Sequence, residues 1–129
     1  MRSSVMTLTL GAAGVVLLAA CGGSTSPYGG GGGGGGTCTP TASKVCMTNA
    51  LSFNPSTLAI TAGTTVTWQN GSITHTVTSD AGSAQTFDSG NIGNGGTFTQ
   101  TFNTAGTYAY HCKIHVASGM TGTITVTGP

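Results

Sequence analysis

The sequence predicts an all-β chain, a Greek-key β-sandwich of about seven or eight short strands, on three observations. Only 4% of residues are charged, so a surface helix, which needs a charged outer stripe, has little to be built from. Threonine occurs 25 times and glycine 23 times; the first suits a pleated, half-buried surface and the second suits turns. Short runs of alternating apolar residues recur with turn signals between them, at the spacing of a two-sheet sandwich.

The elements follow in order. Val45 and Met47 alternate in a first strand, and Asn54-Pro55 marks a turn because proline disfavours helix at the residue before it. Leu58 and Ile60 alternate in a second strand, which Ala62-Gly63 turns into residues 64–69, where Val66 and Trp68 share one face. Asn70-Gly71 is a strong turn dipeptide. Residues 75–78 read as a short strand, and residues 79–96 as a long polar loop anchored by Phe87 and Ile92. Residues 97–102 and 107–112 are two more strands, and residues 123–127 alternate strictly. The expected core is Leu58, Ile60, Val66, Trp68, Phe87, Phe98, Phe102, Tyr108, Tyr110, Ile124 and Val126. That is adequate for a small domain and modest enough to call for a covalent or metal staple.

The domain, residues 37–129, is preceded by two segments of different character. Residues 1–20 carry Arg2 and then a mostly apolar stretch too short to read as a membrane span, which is the pattern of an export signal. The stretch ends in Leu18-Ala19-Ala20-Cys21, which resembles the bacterial lipoprotein processing site, where the cysteine is lipidated and the preceding segment removed. Residues 21–36 form a glycine-rich tether with eight consecutive glycines, which cannot repay their ordering entropy. Such a tether spans about 20 Å. The expectation is an exported, lipid-anchored monomer of the bacterial cell envelope, attached to the membrane through Cys21.

Beyond the signal, Lys44 and Lys113 balance Asp80 and Asp88. A chain this nearly neutral has no basic face to displace counterions from nucleic acid, and long-range steering toward a partner is weak. Of the four cysteines, Cys38 and Cys46 lie close together at the start of the domain and are expected to form a disulfide in an oxidising compartment. Cys112 remains, in the run Tyr110-His111-Cys112-Lys113-Ile114-His115-Val116-Ala117-Ser118-Gly119-Met120. Alternation turns Cys112 inward with Tyr108 and Tyr110, and turns His111 out to the surface. The short loop after Cys112 returns His115 and Met120, and His75 stands at the start of its own strand candidate. One thiolate, two imidazoles and a thioether are a soft N/S set: trigonal His₂Cys with a weak axial Met is the blue-copper arrangement. Zinc structural sites favour more thiolates, and calcium and magnesium need oxygens that two aspartates cannot supply.

At these residues the chain resembles the cupredoxin family, which includes plastocyanins, amicyanins and pseudoazurins. The resemblance runs through Phe53-Asn54-Pro55, Val66-Thr67-Trp68-Gln69-Asn70, His75-Thr76-Val77, Gly106-Thr107-Tyr108-Ala109-Tyr110 and the Cys-x₂-His-x₄-Met loop. It implies a cupredoxin-like fold with one type 1 copper held by His75, Cys112, His115 and Met120. It also implies outer-sphere electron transfer between redox partner proteins rather than enzymatic turnover. Thr76 stands where many relatives have asparagine, and its hydroxyl is expected to tie the His75 segment to the Cys112 loop. Ile114, Val116 and the edge of His115 are expected to form an apolar rim where partners dock. The same ligands would also serve copper sequestration or delivery, the alternative function.

Overall fold

The computed structural model describes residues 37–129. The expected signal segment 1–20, lipidation at Cys21 and tether 21–36 lie outside the described residues.

The alternating runs form eight strands: β1 (Lys44–Thr48), β2 (Ser52–Asn54), β3 (Thr57–Thr61), β4 (Thr64–Asn70), β5 (Thr78–Ser79), β6 (Thr97–Phe102), β7 (Gly106–His111) and β8 (Thr121–Thr127). They make two four-stranded sheets, ordered β2-β1-β4-β6 and β3-β8-β7-β5. Pairings β1 with β4 and β3 with β8 are parallel, and the others are antiparallel. Parallel neighbours far apart in sequence require crossovers between sheets, so the all-β Greek-key reading holds.

Period-two patterning sets which face goes inward. In β4, Val66, Trp68 and Asn70 are buried while Thr65 is exposed; in β8, Gly122, Ile124 and Val126 are buried. The two inner faces meet around Trp68, whose ring lies 5.4 Å from Tyr110, 5.7 Å from Phe98 and 6.2 Å from Phe87. Ten of the eleven expected core residues are buried, while Phe98 is partly buried and packs against them from edge strand β6. Val45, Met47, Phe53, Val77, Ile92, Cys112 and Met120 complete the core. Phe87 and Ile92 do anchor the long loop, both buried.

Two elements differ from expectation. Residues 52–54, of which the sequence assigns only Asn54, to a turn with Pro55, form β2, which the three-residue register with β1 defines. A strand so short shows no periodicity in sequence. The expected strand 75–78 shrinks to Thr78–Ser79, because its backbone donors are used elsewhere. His75 pairs with Ile92 alone, the Thr76 amide donates to Cys112 Sγ, and the Val77 amide donates to Ser89 Oγ. A segment bonded to side chains and sulfur has no ladder to extend.

Cys38 and Cys46 are joined by a disulfide across eight positions. It pins the chain entering the domain against β1, where a Thr41–Lys44 bridge closes the turn. Gly122 in β8 is required by close packing: a Cβ there would lie 2.4 Å from Tyr110 Oη and 2.3 Å from its Cζ. The Tyr110 ring thus takes the side-chain space of its paired residue on the neighbouring strand β8.

Candidate metal centre

Residues from two places in the chain converge at one end of the sandwich. His75 follows β4 and the Asn70-Gly71 turn. It is held by reciprocal backbone bonds to Ile92, with the His75 amide donating at 3.1 Å and the Ile92 amide at 2.8 Å. Cys112 follows β7, and its amide donates to the Met120 carbonyl at 3.0 Å, closing the loop between them. Within that loop the His115 amide donates to the Cys112 carbonyl at 3.1 Å, and a 3-10 turn spans Val116–Ser118. Gly119 then turns the chain back with φ of 83°, a left-handed conformation that glycine adopts without strain. So the short Cys112–Met120 spacing is a self-bonded loop rather than a slack one.

Three donor atoms meet there. His75 Nδ1 and His115 Nδ1 are 3.1 Å apart, and Cys112 Sγ lies 3.9 Å from the first and 3.6 Å from the second. Metal bonds of about 2.0 Å to nitrogen and about 2.3 Å to sulfur, splayed at roughly 120°, separate such atoms by about 3.5 Å. The triangle thus has the size that a single trigonal ion spans. Cys112 and His75 are fully buried and His115 is half-buried. Met120 is fully buried at the end of the same loop.

The surroundings suit soft ligands. The Thr76 amide donates to Cys112 Sγ at 3.3 Å. Burial, and then the neighbouring His115, holds the His75 imidazole below its ordinary value of 6.5, against a smaller opposing effect of the Thr48 carbonyl. A ligand imidazole must be neutral, so both leading effects act in that direction. Buried soft donors with no carboxylate among them fit copper and fit no hard cation.

The supporting residues are partly as expected. Thr76 Oγ1 accepts from the Lys113 amide at 2.8 Å, joining the His75 segment to the Cys112 loop. His111 points outward and pairs with Asp80. Lys113 pairs with Asp88 beside the ligand loop. Ile114 and Val116 are 49% and 47% exposed, and Ile73, two residues before His75, joins them at 50%. Ile73 was not expected, and neither were Asn70 and Ser72, which contact the His75 side of the centre. An Asn-Gly pair reads as a turn, and nothing in its spelling shows that the asparagine is buried.

The sequence profile of the copper binding proteins of the plastocyanin/azurin family matches residues 40–127. The chain is 40% identical over 86 residues to the plastocyanin of Scenedesmus fuscus, a match covering 60% of this chain and 88% of that one. It is 37% identical over 81 residues to the halocyanin of Natronomonas pharaonis, covering 60% of this chain and 50% of that protein. The solved purple cupredoxin from Nitrosopumilus maritimus superposes with a TM-score of 0.57 at 31% identity, over 66% of this chain and 99% of the other. With its profile match, its relatives and the converging thiol and imidazoles all in agreement, the chain belongs to the plastocyanin/azurin family of copper binding proteins.

Proposed function

We propose that this protein is a type 1 copper electron carrier of the cell envelope, tethered to a membrane by a lipid on Cys21. The observation that carries the reading is the buried Cys112 sulfur within 3.9 Å of two imidazole Nδ1 atoms. His75, Cys112, His115 and Met120 would hold the ion. Bound there, copper supplies a one-electron Cu(II)/Cu(I) couple.

The chain's own contribution is rigidity and exposure. His75 is fixed by its Ile92 bridge, Cys112 by the Met120 carbonyl and the Thr76 amide, and His115 by the bond from its own amide to Cys112. Backbone so held leaves the ligands little room to shift between oxidation states, and small rearrangement means a low barrier. His115 is the half-buried member of the triad, so the shortest path to a partner runs through its ring. Ile114 and Val116 beside it are apolar and exposed, as a transient docking face requires.

Adding Cu(II) to the purified protein and recording visible and EPR spectra tests this. An intense thiolate charge-transfer band with narrow copper hyperfine splitting is expected, and a colourless or ordinary square-planar product overturns the reading. Copper delivery is the second candidate. Exchange-prone sites use accessible thioethers, whereas Met47 and Met120 are both buried. Fast electron self-exchange supports the carrier, and fast copper loss to a chelator supports delivery.

A further inference from the structure

Ser72 lies three residues before His75, and its Oγ is 3.0 Å from His75 Nε2. The other ring nitrogen, Nδ1, faces Cys112 Sγ and His115 Nδ1. An imidazole that offers Nδ1 to a metal carries its proton on Nε2. That sets the direction of the contact: Nε2–H donates and Ser72 Oγ accepts.

The serine hydroxyl is itself oriented. Its proton is left to donate onward, and Asn70 Oδ1 lies 3.4 Å away. Asn70 is fully buried, and its Nδ2 donates to the Ile73 and Ile92 carbonyls at 2.7 Å each. Its Oδ1 also accepts from the Ser72 amide at 2.9 Å. Flipping this amide would set its oxygen against two carbonyl oxygens, so Oδ1 stays on Ser72. Ile92 is also the backbone partner of His75. One buried asparagine therefore holds both the loop that carries Ser72 and the strip that carries His75.

We infer that Ser72 is a positioning residue for His75. Oriented by Asn70, it fixes the rotation and tautomer of the ring and makes Nδ1 a stronger donor. The inference rests on the reading of this centre as a type 1 copper site. An acceptor on Nε2–H pushes electron density toward Nδ1, which stabilises Cu(II) more than Cu(I). The Thr48 carbonyl also acts on the His75 ring, but it is backbone and unaffected by side-chain substitution. Ser72 is the part of the contact that this sequence sets.

The experiment uses the full chain loaded with copper, as wild type, Ser72→Ala and Ser72→Thr. Voltammetry gives the potential, pulsed EPR reads the remote imidazole nitrogen, and metal-free unfolding monitors the fold. Ser72→Ala is expected to lower the Cu(II)-to-Cu(I) affinity ratio about tenfold, a rise of about 59 mV for a one-electron couple, and to change the remote-nitrogen coupling. Ser72→Thr keeps the hydroxyl and is expected to restore both. An unchanged potential and coupling in Ser72→Ala overturns the inference. So does a shift that Ser72→Thr fails to reverse while both variants unfold as the wild type does. A wild type with no blue spectrum overturns instead the copper reading on which this one stands.

Discussion

Cys112 has no partner among the described cysteines and is buried against two imidazoles. Its sulfur is the source of the charge-transfer intensity expected of the loaded protein. Cys112→Ser is expected to abolish the band near-completely while leaving the fold intact, checked by absorption beside circular dichroism. Thr76 acts through its hydroxyl, which accepts from the Lys113 amide. Thr76→Val leaves that amide without its acceptor and is expected to cost about 1–3 kcal/mol in urea unfolding. Thr76→Ser, which keeps the oxygen, is expected to cost less. If the two variants unfold alike, the bond has no energetic role.

Among the elements, β7 and β8 pack closely where the Tyr110 ring occupies the space of a Gly122 side chain. Gly122→Ala must displace that ring from beside Trp68 and is expected to destabilise by about 1–3 kcal/mol, read from the denaturant midpoint. Strand β1 is held from outside by the Cys38–Cys46 disulfide. Loop-closure entropy assigns it about 2.5 kcal/mol. Replacing both cysteines with alanine is expected to lower stability by that order while leaving the blue band in place. These elements were unequally legible. Strands of five or more residues with apolar alternation, such as β3, β4 and β8, could be read directly. Strand β2 could not, because three residues carry no period, and the shortening of residues 75–78 depends on Ser89 and Cys112, which are distant in sequence.

At the scale of the whole molecule, the formal charges of the described domain cancel, Asp88 pairs with Lys113, and Asp80 shares a hydrogen bond with His111. Partner association is therefore expected to depend weakly on ionic strength, and a steep fall in association rate between low and moderate salt would contradict it. Stability toward acid carries one signed effect. The Lys113 hydrogen bond, then the Gly90 amide, holds the Asp88 carboxyl below its ordinary value of 3.8. The unfolded chain thus binds the proton first, so this contribution is present above that value and is lost as pH falls through the lowered one. Asp88→Asn is expected to flatten the acid limb of the stability curve and leave its neutral plateau nearly unchanged, since the pair is solvent-exposed.

The sequence by itself determined the sandwich class, the inward faces of the longer strands, and a His, Cys, His and Met set at a spacing that few chemistries use. Those features are local: alternation, turn dipeptides and short loop lengths act over a few residues. Tertiary structure alone decided that His75 meets His115 across forty positions. It also decided that Asn70 is buried beneath the loop before His75, and that Ile73 joins the exposed apolar residues near the centre. Such contacts arise when two sheets close on each other, and no residue's immediate neighbours encode which distant side chain it will touch.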